Sequence, residues 1–155
     1  MNNYNRYYRC IVKSVNHIFH NFLQDDSIEE AFESQSTKKS QMVSIEIDGT
    51  ISGELILNFP IKTINLLTKR FIPNANSRST KKQRADVAGE LANMITSSFA
   101  NQLQFIKHDI HISAPEFDDD PIQVKALYEN VNVSFTSRFG GFDLDLYYKK
   151  NKHKT

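Results

Sequence analysis

The chain has 155 residues and a mass of 17.9 kDa, which suits one domain with a single core of ordinary size. Hydrophobic residues make up 39% and charged residues 24%, a globular rather than a disordered balance. A net charge of +1 excludes a global bias toward nucleic acid or membrane, and the one cysteine, Cys10, excludes an internal disulfide framework and fits a reducing cytosol.

The amino terminus, MNNYNRYYRC, lacks the apolar core of a signal peptide. No run approaches the ~18 apolar residues of a membrane span, so a cytoplasmic location is expected. Residues 3–23 read as a first helix with a stripe of Tyr4, Tyr8, Ile11, Val15, Ile18 and Phe22, widened by Tyr7, Val12, Phe19 and Leu23. Cys10 lies in it with Arg9 and Lys13 nearby and reads as structural. His17 and His20, three apart, have metal-ligand spacing but no third ligand close by, so they read as surface or half-buried histidines and no metal site is expected.

Residues 24–41 are polar and read as a loop with at most a short helical turn. The period then changes to two. Val43, Ile45 and Ile47 alternate with Ser44, Glu46 and Asp48; past Asp48-Gly49, Ile51, Gly53, Leu55, Leu57 and Phe59 alternate with polar residues. Asp-Gly between alternating runs predicts a hairpin. Pro60 ends the second strand and can start a helix to about Phe71, with Ile64, Leu67 and Phe71 inward. The stretch 73–80 is a turn and loop, with Ser79 or Thr80 as the N-cap of the next helix.

That helix is predicted over Ala85–Leu103. Ala88, Leu91, Ala92, Ile95 and Phe99 cluster on one face. Asp86, Glu90, Asn93 and Ser97 fall on the opposite face, within roughly 60° of arc. A carboxylate and an amide three apart on a rigid helix can enter a partner's site together. Arg78, Lys81, Lys82 and Arg84 precede this face, where cations oppose the helix dipole at about 0.3–1 kcal/mol each if exposed. They read either as a tolerated solvated cluster or as a basic rim for an acidic partner.

Asp109–Ala114 reads as a strand, on which His108 and His111 face opposite ways and cannot chelate together. Glu116, Asp118, Asp119 and Asp120 before Pro121 lack the spacing of a calcium loop and read as a solvated acidic loop. Two final strands, through Val131–Thr136 and Phe142–Tyr148, are joined at Gly140-Gly141, and a basic tail from about residue 149 frays. Helices and strands are grouped rather than alternating. The predicted fold class is α+β, a two-layer sandwich of a mostly antiparallel sheet with helices packed on it, spanning residues 1–155 as one domain.

No P-loop, G-x-G-x-x-G, H-E-x-x-H, C-x-x-C or G-x-S-x-G occurs, so a self-contained nucleophile or metal centre is poorly supported. Gly89-Glu90-Leu91-Ala92-Asn93-Met94-Ile95, with Asp86 upstream, instead resembles the CheC/CheX family of CheY-phosphate phosphatases. Their signature, Asp or Ser, three residues, Glu, two residues, Asn, is met by Asp86, Glu90 and Asn93, and the element order matches over roughly residues 5–148. A second E-x-x-N, Glu129 and Asn132, enters a strand and cannot present both groups on one face. With one helical copy the protein looks more like CheX than CheC, which the resemblance implies is a homodimer. The resemblance implies Asn93 and Glu90 as catalytic residues acting on a phosphorylated CheY-type receiver. Asn93 would orient the hydrolytic water, and Glu90 would pair with the receiver's lysine. It implies no cofactor in this protein, with Mg²⁺ held by the receiver. Asp86 would help seat the partner or merely solvate the helix, Ser97 extends the same face as a partner contact or an ordinary surface residue, and Arg78, Lys81, Lys82 and Arg84 would steer the partner's carboxylate-rich site. The alternative is a non-catalytic adaptor that binds a receiver or the flagellar switch. Nucleic-acid binding is not expected at this net charge without an aromatic-basic platform.

Overall fold

The computed structural model describes residues 2–73, 80–117 and 128–151. Arg78, Ser79, Asp118, Asp119, Asp120, Pro121 and the end of the basic tail lie outside them. Element order is α1 (Asn3–Asn21), β1 (Glu29–Ala31), β2 (Ser40–Gly49), β3 (Ile51–Pro60), α2 (Ile61–Phe71), α3 (Lys81–Gln104), β4 (Ile110–Ile112), β5 (Glu129–Ser137) and β6 (Gly140–Lys150). The strands form one antiparallel sheet in the order β1-β5-β6-β3-β2-β4. The fold is the α+β sandwich that the grouped elements predict.

Register puts the apolar alternation on one face of the sheet. Val43 and Ile45 stand opposite Leu57 and Leu55, which stand opposite Leu144 and Leu146, and these face Val133 and Val131. All of them are buried, and the helices cover this face. Stacked or tilted rings of Phe19, Phe59, Phe135 and Phe142 close one part of the core, with centroids 5.2–5.4 Å from Phe142.

Several boundaries differ from the sequence expectation, each for a local reason. The polar stretch 24–41 is not all loop: Glu29–Ala31 pairs with β5 as a charged three-residue edge strand, too short and too polar to show a period of two. In α1 the ends of the predicted stripe, Tyr4 and Phe22, stay 42% and 57% exposed. They sit on the correct side but at the ends of the helix, while Tyr7, Ile11, Val15, Ile18 and Phe19 fill the core. The last hairpin turns at Arg138-Phe139 rather than at the two glycines, because Phe139 buries its ring near Phe19 and Gly140, at φ 121°, already opens β6. Gly49 is needed where predicted: its φ is 149°, and a Cβ there would stand 2.2 Å from the Asp109 carbonyl oxygen. Residues 149–151, expected to fray, do not: β6 runs through Lys150 and the Asn151 amide donates to Gly49 O at 2.7 Å.

The opposite sheet face carries a buried carboxylate. Asp143 accepts from Ser34 Oγ (2.7 Å), Gln35 N (2.8 Å), Ser36 N (3.1 Å) and Ser134 Oγ (2.7 Å), and also from Ser36 Oγ. These bonds strap residues 34–36 across the sheet. Burial pushes the Asp143 carboxyl up, but the donors together pull it below the usual carboxylate value. Asp143→Ala leaves this donor set without an acceptor and is expected to cost about 1.5–3 kcal/mol in denaturant unfolding at neutral pH. A depressed folded pKa contributes stability above the unfolded value and loses it as pH falls. The difference between wild type and variant should therefore hold down to about pH 3.9 and shrink below it.

Candidate functional site

The site is one face of α3. Thr80 caps the helix: its hydroxyl accepts from Gln83 N at 3.0 Å while Gln83 Oε1 accepts from Thr80 N at 2.9 Å, a capping box. Thr80 thus fills the predicted N-cap role, and the helix starts at Lys81, four residues earlier than the hydrophobic pattern alone indicates. At the other end Lys107 turns left-handed (φ 61°) and His108 N reaches Leu103 O at 3.0 Å. His108 Nε2 lies 2.8 Å from the Tyr7 hydroxyl and Nδ1 lies 3.1 Å from Ile106 O. That pattern assigns the proton to Nδ1, with Tyr7 donating to Nε2. Burial lowers the His108 pKa, keeping it neutral, and pushes Tyr7 up to about 12. The pair ties α1 to the end of α3.

Between these anchors the predicted inward residues Ala88, Leu91, Ala92, Ile95 and Phe99 are all buried. Asp86, Glu90 and Asn93 are exposed, and Ser97 is half-buried. Neither the Glu90 nor the Asn93 side chain makes a hydrogen bond or ion pair among the described residues. At about 100° per residue Lys82 continues their stripe, while Lys81 and Arg84 lie about 180° and 120° around the helix from Glu90. Lys81 and Lys82 are exposed and Arg84 is half-buried.

Asp86, Glu90 and Asn93 line an open groove of about 630 Å³, whose other wall is Ile112–Pro115 and Phe117; Ser97 is not among its lining residues. Sequence reasoning missed that wall. Past β4 the backbone stays hydrogen-bonded to β2: Ser113 N donates to Glu46 O (3.0 Å), and Ser44 and Glu116 exchange backbone bonds of 2.9 and 2.8 Å. Two residues, Ala114 and Pro115, therefore oppose the single Ile45, a β-bulge placed where proline's missing N–H does no harm. Glu116, expected in a solvated loop, is thus paired through its backbone. The signal available in the sequence was Pro115, directly after the predicted strand Asp109–Ala114.

The other candidate motifs separate. Glu129 and Asn132 both lie on β5, where a three-residue offset points them to opposite faces, and Asn132 Nδ2 donates to Asp145 at 2.9 Å. Among the described residues no cluster of three or more His, Cys, Asp or Glu could hold a metal ion, and His17 bonds to Asn21 at 2.8 Å. No helix among them is long and apolar enough to cross a membrane.

The family model described as "Chemotaxis phosphatase CheX" matches residues 42–135, a span that runs from β2 through α3 into β5. The chain belongs to the CheX family. Solved relatives share its fold at low identity. CheX from Vibrio vulnificus superposes with a TM-score of 0.78 at 13% identity, covering 96% of this chain and 100% of its own. A chain of the CheX–CheY–BeF3–Mg²⁺ complex from Borrelia burgdorferi gives 0.74 at 14% identity, covering 93% and 98%. CheX from Desulfovibrio desulfuricans gives 0.74 at 13%, covering 92% and 99%. No curated protein matches the sequence significantly.

Because the Glu90 and Asn93 side chains are exposed and make no bond among the described residues, Glu90→Ala and Asn93→Ala should each leave stability within about 0.5 kcal/mol of wild type. Thermal or urea melts of both variants check this. A larger loss would assign the pair a structural role.

Proposed function

We propose that this protein accelerates hydrolysis of the aspartyl phosphate on a CheY-type receiver, with Asn93 orienting the water and Glu90 fixing the docked pose. The observation that carries the reading is a carboxylate and an amide three residues apart on the groove face of a helix anchored at both ends, neither with a partner among the described residues. Family membership supports it, as does a related fold in a complex with CheY, BeF3 and Mg²⁺.

The chemistry asks little covalent work of the catalyst. Water attacks phosphorus, the P–O bond to the receiver aspartate breaks, and its electron pair returns to that carboxylate, releasing inorganic phosphate. Phosphoryl transfer of this kind depends on positioning and charge stabilisation. The receiver supplies Mg²⁺ and a lysine against the phosphoryl oxygens. The amide oxygen of Asn93, Oδ1, accepts a hydrogen bond from the water and its NH₂ donates to a second site, which holds the oxygen opposite the leaving group. Glu90 occupies the receiver's lysine. Asp86 and Ser97 extend the contact, and the cations near the start of α3 (Arg78, Lys81, Lys82, Arg84) steer an acidic partner at long range, where side-chain direction matters less than charge. Mg²⁺ thus belongs to the partner, and the reaction is cytoplasmic. The family resemblance adds a homodimer, which sedimentation equilibrium reads directly.

Phosphoryl loss from a ³²P-labelled receiver tests the mechanism. Asn93→Ala is expected to reduce the acceleration about 10²-fold, and Glu90→Ala to weaken both binding and turnover. Acceleration that survives Asn93→Ala would refute the role of the amide. Receiver binding without any acceleration would favour an adaptor.

A further inference from the structure

The groove wall opposite Glu90 and Asn93 is built with unusual constraint for a surface feature. Phe117 is 44% exposed, yet its ring lies directly over a glycine: Cζ is 2.8 Å from where a Cβ on residue 89 would stand, and Pro115 Cβ is 3.5 Å from the same point. Gly89 is buried in the middle of α3, where glycine is otherwise a poor helix residue. The backbone under the ring is held by the Ser44–Glu116 pair of hydrogen bonds. Beyond the bulge, Ser113 Oγ accepts from Glu46 N at 2.9 Å. The groove therefore has an acidic side, Asp86 and Glu90, and an apolar side, Ile112 and Phe117.

We propose that Phe117, seated on Gly89, is a docking anchor that registers the phosphorylated receiver so that Asn93 enters its cleft at the correct depth. This choice of occupant rests on the phosphatase reading above. It fits the groove's chemistry: a receiver offers a cation beside its acyl phosphate for Glu90 and folded surface around it for an aromatic. A ring that already rests against the helix has less conformational freedom to lose on binding than a fully solvated one, and pre-organisation of this kind favours affinity. Phe117 is accordingly a positioning residue. It touches the partner's surface and leaves the reacting atoms to Asn93.

Three variants test the anchor: Phe117→Ala, Phe117→Leu and Gly89→Ala. The probes are a CheY-type receiver activated with beryllofluoride and Mg²⁺ for binding, and the ³²P-labelled receiver for turnover. Phe117→Ala should weaken binding about tenfold and raise KM by a similar factor, with kcat changing less than about threefold. Phe117→Leu should recover much of that loss. Gly89→Ala improves the helix and should not lower the thermal midpoint, yet it displaces the ring and should weaken binding severalfold. Such a split between stability and affinity is not what a purely structural role produces. Wild-type affinity and KM in both Phe117→Ala and Gly89→Ala would overturn the anchor while leaving the phosphatase reading intact. If the wild type binds the receiver without accelerating phosphoryl loss and Phe117→Ala still weakens binding, the catalytic reading falls and the anchor stands. A wild type that does not bind the activated receiver overturns both.

Discussion

The seating of α3 on α1, α2 and the sheet is the constraint on which the candidate site depends. Its core-facing side combines small residues, Ala88 and Ala92, with Leu91, Ile95 and Phe99, so the helix packs against α1, α2, β2, β3 and β4. Burial of that side leaves one orientation for the polar side. A helix so held, capped by Thr80 and tied through His108 to Tyr7, presents Glu90 and Asn93 as a rigid pair. Rigidity is what the proposed chemistry needs, since an amide that is to orient water must have its position set before the reaction.

Groups with shifted acidity often mark active sites, and here the two buried carboxylates with lowered pKa do not. Asp143 and Asp25 are buried carboxylates whose hydrogen bonds organise irregular backbone. Asp143 straps residues 34–36 to the sheet, while Asp25 accepts from Ser27 N and Oγ and from Arg138 N, tying the end of α1 to the β5–β6 turn. For Asp25 too, burial raises the pKa, and the Ser27 and Arg138 donors with the Arg138 charge bring it down overall. Both are structural. The candidate catalytic groups are exposed instead, as expected when the electrostatic work is shared with a partner that brings its own cation and metal.

Strong periodicity was legible in the sequence. The inward face of α3, the alternation in β2, β3, β5 and β6, the break at Pro60 and the Thr80 cap are all local consequences of side-chain spacing and backbone chemistry. The E-x-x-N pair could be placed on the exposed side because the opposite side is so clearly apolar. Features made by contacts distant in sequence could not be read. The strand at Glu29–Ala31 exists because β5 offers it partners, and the turn at Arg138-Phe139 is set by Phe139 finding the core and by Asp25 accepting from Arg138. The groove wall belongs to the same class. Residues 112–117 gain their form from β2, and Gly89, which in the sequence is simply part of a motif, acquires its steric meaning only when Phe117 is seen lying over it.

The edges of the sheet limit unwanted pairing. β1 and β4 are both three residues long, one charged and the other followed by a proline-containing bulge. The bulge ends regular pairing at one edge of the sheet and also forms the groove wall beside α3. The most direct measurement is the structure of this protein bound to a receiver activated with beryllofluoride and Mg²⁺. The expected result is α3 against the receiver's active cleft, with the Asn93 amide within hydrogen-bond reach of the position opposite the aspartyl oxygen and Glu90 against the receiver's lysine. A receiver docked elsewhere, with Glu90 and Asn93 left in solvent, would contradict it.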